Sequence, residues 1–400
     1  MGVRTDRQPH VTMIRIERIE LREIILPLAD RFSTSAGAVD ERRILLLEFH
    51  DADGSREWSE CVAETLPTYA PDTVDTCWLA ISKWIAPIVI GESFDSPDLV
   101  DAALAKRIRG HRMARAAVEM GLWALFARKS GVSLAAALND KTRSPAPDRK
   151  PRSKVESGVA FGIQSSPELL ADRCRAAADE GYRRIRIKIA PGADVMYVRA
   201  ANDALESRIP LAVDGNCAYS LDNAHHVSAL EALDSFGLSM IEQPLGHDDL
   251  MQHATLQRCI STPICLDESI TGVERVAEMI ALESARIVNL KPGRVGGFRQ
   301  SLAIHDACAE SSLPLWCGGM LETGIGRAYN VALASLPHFT LPGDLSPSAR
   351  YWAQDIVKQP WTMDADGTVE VPLDRNGTGV EVNEELVDEL TVRRLTLGQR

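Results

Sequence analysis

Arg184-Ile185-Arg186-Ile187-Lys188-Ile189, Leu211-Ala212-Val213-Asp214, Leu238-Ser239-Met240-Ile241-Glu242, Pro263-Ile264-Cys265-Leu266-Asp267 and Arg286-Ile287-Val288-Asn289-Leu290-Lys291 decide the fold of this chain. Each is a short apolar run that carries or ends on a charged residue. From Lys188 through Asp214, Glu242 and Asp267 to Lys291 the intervals are 26, 28, 25 and 24 residues, a repeat. A strand of a few residues followed by a helical stretch at this period is the βα unit of a parallel sheet or barrel. The runs are continuous rather than alternating, as in parallel strands covered on both faces. In a barrel of such units the C-terminal strand ends meet at one mouth, so these five charged residues would share one space.

A lone acidic residue after a strand is usually a helix cap or a surface charge. Three in successive units repel one another unless a cation neutralises them. Asp214, Glu242 and Asp267 offer only oxygen, which suits a hard ion, Mg²⁺ or Mn²⁺, rather than zinc. Lys188 and Lys291 flank them. Two ammonium groups beside a cation can have lowered pKa values and act as bases, with Arg186 and Arg294 pushing the same way. A divalent ion facing two amines can remove a proton α to a carboxylate and stabilise the resulting enediolate.

These residues carry a resemblance. The sequence resembles the enolase superfamily, muconate-lactonising subgroup, through the strand Arg186-Ile187-Lys188, the three acidic residues on the next three strands and Lys291 on the sixth. Within it the chain is similar to the o-succinylbenzoate synthase/N-acylamino acid racemase family. That likeness rests on Asn289–Gly297, on Trp316-Cys317-Gly318-Gly319-Met320-Leu321-Glu322-Thr323-Gly324-Ile325-Gly326-Arg327, and on Leu341-Pro342-Gly343-Asp344. It implies a modified (β/α)₇β barrel, an α/β fold, with an N-terminal α+β capping domain. The expected divisions are 1–150 for the cap, 151–345 for the barrel and 346–400 for a segment returning to the cap. It also implies Lys188 and Lys291 as catalytic bases and Asp214, Glu242 and Asp267 as metal ligands; lysine bases working with Mg²⁺ are characteristic of the superfamily. Asn216, Arg186, Arg294, Gly318, Gly319, Met320, Phe32 and Tyr69 are expected to bind substrate or tune the lysines. Two departures stand out. Arg186 replaces the first lysine of the strand and cannot act as a base, and Ala160 stands where the group often has a substrate-contacting serine.

The resemblance leaves two reactions in play, dehydration to o-succinylbenzoate in menaquinone synthesis and racemisation of an N-succinyl or N-acyl amino acid. Arg294, three residues after Lys291, accompanies racemase activity in this group. Dipeptide epimerases carry Asp-x-Asp at the eighth strand, where this chain has Phe339-Thr340-Leu341-Pro342. Muconate cycloisomerase and dipeptide epimerase are the alternatives, and a catalytically dead homologue is the reading from another class.

With 400 residues and a net charge of −12, the composition argues against nucleic acid or an anionic membrane as the main partner, because phosphate binding needs a basic surface. Its expected partner is a small anionic carboxylate, drawn in by local positive charge, and a homo-oligomer is expected. The eight cysteines form no C-x-x-C pair and read as reduced core residues. No stretch is long enough for a membrane span, and no apolar leader is evident, so a cytoplasmic location is expected.

Before the repeat, residues 1–12 read as a polar, frayed start. Ile14–Leu21, Arg43–Phe49 and Trp58–Cys61, with Asp51-Ala52-Asp53-Gly54 as a turn, read as an antiparallel meander. Asp30–Gly37 and Ala63–Tyr69 read as loops that the resemblance would close over the barrel mouth. A helix is predicted over Arg112–Lys129, with Met113, Met120 and Trp123 in the core, and a Pro-rich linker over Asp140–Pro151. Glu268 reads as a solvated neighbour of Asp267, and none of the nine histidines as catalytic.

Overall fold

The structure is a computed structural model; it describes residues 12–35, 37–143 and 150–398. The frayed start predicted over 1–12 lies almost wholly outside the described residues, as does the centre of the predicted linker.

The cap is an antiparallel sheet. Strands β1 (Ile14–Thr34), β2 (Gly37–Asp51) and β3 (Arg56–Cys61) follow in order, and a short β4 (Ser93–Phe94) pairs with the start of β1. Alternation puts Ile19 and Leu21 of β1 and Leu45 and Leu47 of β2 on the face covered by helix Arg112–Lys129. That helix matches the predicted bounds, and Met113, Met120 and Trp123 are buried in it. The stretch Asp30–Gly37 is not a free loop: after an irregularity between Pro27 and Phe32, β1 and β2 pair again, with Phe32 opposite Val39 and Ser33 opposite Ala38. It is the tip of a long hairpin that overhangs the rest of the molecule.

After β5 (Lys154–Glu156), seven parallel strands run in sequence order: β6 (Gly158–Phe161), β7 (Arg184–Lys188), β8 (Leu211–Asp214), β9 (Ile241–Glu242), β10 (Ile264–Leu266), β11 (Ile287–Leu290) and β12 (Leu315–Cys317). The eighth position is an irregular segment. Thr340 N and Asp344 N donate to the carbonyls of Leu315 and Cys317 on one side, while Gly158 N donates to Gly343 O and Gly343 N to Glu156 O on the other. These bonds close the ring into a (β/α)₇β barrel. Outward residues such as Ile185 and Ile187 pack on the helices. Inward, Ala212, Met240, Cys265, Ile287 and Trp316 form one small apolar layer. Asp214, Glu242 and Asp267 stand one inward position further along the same strands, above that floor, and Lys291 two.

The chain then returns to the cap. Strand β13 (Thr368–Glu370) pairs with β5, and β14 (Thr391–Gly398) pairs antiparallel with β1, adding the outer strand of the cap sheet. Six of the eight cysteines are buried, Cys217 is half-buried and Cys259 is exposed, so Cys259 departs from the expected core position. No helix among the described residues is long and apolar enough to cross a membrane.

Candidate active site at the barrel mouth

Strand alternation places Arg184, Arg186 and Lys188 on the inner face of β7. All three are buried. Arg184 lies over the ring of Trp316, its guanidinium carbon 3.8 Å from the ring centre. Arg186 reaches the charged layer, where its Nη1 donates to both Asp214 Oδ2 and Glu242 Oε2 and its Nη2 to Asp344 Oδ2. Lys188 Nζ donates to Asp214 Oδ2 at 2.6 Å. Across the ring, Lys291 Nζ donates to Asp267 Oδ2 at 2.8 Å. It also stands 4.4 Å from the centre of the Tyr69 ring.

Asp214, Glu242 and Asp267 are fully buried. Asp214 and Glu242 end β8 and β9 and Asp267 follows β10, the three strands between the two lysines. Counting the closing segment as the eighth position, β7 and β11 lie four steps apart, the largest separation such a ring allows. The lysines therefore face each other across the mouth with the carboxylates between them. Cations sit among the carboxylates and keep their oxygens apart. Among the described residues, the one trio of ligand atoms within 4.8 Å of one another is Glu20, Glu48 and His50 on the cap sheet. That trio is already neutralised, since Arg22 and Arg56 pair with Glu48 and Arg18 with His50 and Glu20.

The donor set fits a hard cation. Besides the three carboxylates, Asn216 Oδ1, Glu268 Oε2 and Asn289 Oδ1 are buried oxygens with no hydrogen-bond partner. Asn289 Nδ2 donates to Glu242 Oε1 at 2.8 Å, and Asn216 N to Asp214 Oδ1 at 2.9 Å, so both amides fix acidic side chains in place. Burial by itself would raise Asp214, but Lys188 and Arg186 outweigh it and hold that carboxyl below its usual range. For Glu242 burial prevails over Arg186 and the shift is upward.

Several expectations change here. Glu268 is not solvated: it is 8% exposed, accepts from Asn216 Nδ2 at 3.0 Å, and burial together with Asp214 raises it to about 7. At Lys291 burial pulls the ammonium down, but Tyr69, Glu242 and Glu268 outweigh burial and raise it. Arg294 is tied wholly to protein. It binds Asp267, the Tyr69 hydroxyl at 3.0 Å and the carbonyls of Ile270 and Asn289, and so braces Asp267 from behind. Tyr69 itself donates to Asp267 Oδ1 at 2.8 Å, so the loop after β3 reaches into the charged layer.

The glycine-rich exit of β12 also has a steric use, while Gly319 and Met320 line the cavity. Gly318 N donates to Leu290 O and Met320 N to Glu322 Oε1, so neither amide is spare for a ligand. A Cβ on Gly318 would lie 2.2 Å from Asn289 Oδ1 and 2.7 Å from Lys291 Cε. Glycine there makes room for the lysine. Asp344, quoted in the sequence motif but given no role, pairs with Arg184 and Arg186. Asn289 was also overlooked, although it stands two residues before Lys291 and thus on the same strand face.

A cavity of about 710 Å³ opens over this layer, between cap and barrel. Phe32, Tyr69, Ala160, Lys188, Lys291 and Met320 all line it. The hairpin tip docks at its rim: Ile163 N donates to Ser33 O at 2.9 Å, and Ser35 Oγ to Gly215 O at 3.3 Å.

Comparison with known proteins follows the same architecture. The family model described as mandelate racemase/muconate lactonizing enzyme, N-terminal domain, matches residues 19–138, and that described as enolase C-terminal domain-like matches residues 169–386. An o-succinylbenzoate synthase of Bacillus subtilis is 43% identical over 94% of this chain and 96% of its own length. An N-succinylamino acid racemase of Thermus thermophilus is 42% identical over 97% and 99%. A solved enolase-superfamily structure from Listeria innocua superposes with a TM-score of 0.88 at 33% identity, covering 96% of this chain and 99% of that one.

Proposed function

Because the chain belongs to the mandelate racemase/muconate lactonizing enzyme family of the enolase superfamily, whose members bind a divalent metal, we propose that it removes the proton α to a carboxylate. The substrates are N-succinyl amino acids, which it racemises, and the precursor of o-succinylbenzoate, which it dehydrates. The observation that carries this reading is the pair Lys188 and Lys291, four ring positions apart on opposite walls with three buried carboxylates between them.

In this proposal Asp214, Glu242 and Asp267 would hold Mg²⁺ or Mn²⁺, which would supply positive charge against the substrate carboxylate. Arg186, which bridges Asp214 and Glu242, is held from its other nitrogen by Asp344. Substrate lies between the lysines. Lys188 takes the α-proton from one face, and Lys291 delivers one from the other, which inverts the centre. The two act in reverse order on the opposite enantiomer. In the dehydration Lys188 takes the α-proton and returns it to the departing hydroxyl, which leaves as water from the same face, and the Lys291 ammonium stabilises the negative charge that develops on the opposite face. Racemisation is the reading favoured by Arg294, whose bond to Asp267 leaves Lys291 sharing that carboxylate rather than owning it.

The test is exchange in D₂O with metal-loaded enzyme and N-succinyl amino acids. Deuterium should enter the α-position of both enantiomers. Lys188→Ala and Lys291→Ala should each abolish racemisation, and each should retain exchange of at most one enantiomer. Wild-type enzyme that exchanges neither would reject the two-base reading.

A further inference from the structure

Beyond the lysines the cavity continues outward between the β1–β2 hairpin and the loop after β3, and one charge there lacks a counter-charge. Arg42, on β2 opposite Leu26, is 4% exposed and lines the cavity. Its Nη2 donates to the carbonyls of Val62 and Ala63 at 3.3 and 3.4 Å. Its Nε is buried with no acceptor, and among the described residues Arg42 forms no ion pair. The acids that share the cavity wall are engaged or turned out. Glu64 accepts from Thr68 Oγ1 at 2.9 Å, Asp72 faces His111 and Arg112, and Glu41 is exposed.

A buried guanidinium with five donors and only carbonyl partners is an incomplete arrangement, because taking that charge out of water is costly unless an anion meets it. Its position is also fixed relative to the proposed chemistry. A Cβ on Gly293, two residues after Lys291, would lie 2.4 Å from Val62 Cγ2, so the carbonyl anchor of Arg42 packs on the turn that carries the lysine. Phe32, Val39, Leu66 and Leu321 line the same cavity with apolar surface.

We propose that Arg42 receives the distal carboxylate of the substrate, the far end of a succinyl arm, and so selects dicarboxylates over substrates with an uncharged acyl group. This rests on the proposed function, in which both substrates carry that arm: one carboxylate goes to the lysines and their ion, and the other to Arg42. The planar fork of an arginine suits a carboxylate at a fixed angle better than a lysine does.

The experiment compares N-succinylleucine with N-acetylleucine on the metal-loaded wild type, Arg42→Gln and Arg42→Lys, by α-proton exchange in D₂O. Glutamine keeps an N–H for the Val62 and Ala63 carbonyls and removes only the charge, and thermal melting of each variant checks the fold. Arg42→Gln should lower the succinyl-to-acetyl ratio of kcat/KM by about 10- to 100-fold, chiefly through KM, the loss of a hydrogen bond to a charged group. Arg42→Lys should restore part of it. A ratio unchanged in Arg42→Gln overturns the proposal. If the wild type exchanges neither ligand, the proposed reaction fails on its own account. Calorimetric Kd values for the two ligands on the same proteins then decide Arg42 separately: the ratio must fall in Arg42→Gln, and an unchanged ratio rejects the assignment.

Discussion

Single side chains at the mouth of the barrel carry opposite burdens of charge and space. Glu242 is fully buried, shares Arg186 with Asp214 and accepts from Asn289. Glu242→Gln keeps the shape and removes one charge, so turnover at saturating Mg²⁺ should fall at least 100-fold with little change in melting temperature. Activity near wild type would remove Glu242 from the ligand set. Gly318→Ala tests space instead of charge. The added methyl meets Asn289 and Lys291 rather than open cavity, so the lysine must move and kcat should drop by about 10-fold or more while KM changes less. If kcat is untouched, Lys291 either has slack or does not act in the slow step. The sequence made the five charged strand ends legible because buried parallel strands read as uninterrupted apolar runs, and a charge at the end of one is conspicuous. It did not make the unpaired Arg42 legible, since an arginine beside Arg43 on an edge of apolar residues looks like any solvated pair until the fold shows which of the two is covered.

Elements of the two layers are joined by carboxylates acting at a distance. Helix Phe298–Glu310 starts at Gly297, which has no side chain to cap it. Glu119, from the middle of helix Arg112–Lys129 in the cap, supplies the cap instead, accepting from Phe298 N at 2.7 Å and Arg299 N at 2.9 Å. A Cβ on Gly297 would lie 2.2 Å from that carboxylate. Glu60 of β3 reinforces the start of helix Gly324–Ala334, where Thr323 already caps Ile325 N, by accepting from Thr323 Oγ1 at 2.6 Å and Gly326 N at 3.0 Å. Burial raises Glu60 from 4.5 to about 7, against the pull of Thr323. Between those values the native state holds a proton that the unfolded chain has released, so this group costs stability as pH rises through the window, at about 1.4 kcal/mol per pH unit. Glu60→Gln removes the titration. The melting temperature of the variant minus that of wild type should therefore climb from pH 4.5 to 7 and level off above. A difference flat across that range would mean that the amide donors keep Glu60 ionised throughout. Such caps were invisible in the sequence, where Glu60 and Glu119 are ordinary members of a strand and a helix. Their partners lie 263 and 179 residues further along.

At the scale of the whole molecule, the repeat was enough to foresee a barrel and a cap, but not how the barrel closes, because Phe339–Asp344 is irregular and has no strand pattern to read. The cluster at the mouth also couples ligand to stability, because an ion held by three carboxylates that only folding brings together binds the native chain and not the unfolded one. A divalent ion at 100 times its Kd should stabilise the fold by about 2.7 kcal/mol, measured as the shift in denaturant midpoint with and without chelator. The shift should vanish in Asp267→Asn, and a midpoint that ignores chelator in the wild type would argue against a resident ion. The outer strand of the cap sheet bears on how the molecule is made. Arg18 pairs with Gly398, so β1 waits for a neighbour synthesised 380 residues later. At 5–20 residues per second that is roughly 20–75 s of translation. Throughout that interval the nascent cap presents the open flank of β1, a row of unpaired amides able to recruit another chain. The barrel is complete before its lid is, and the ribosome, rather than the final energy balance, sets how long this protein is exposed to mispairing.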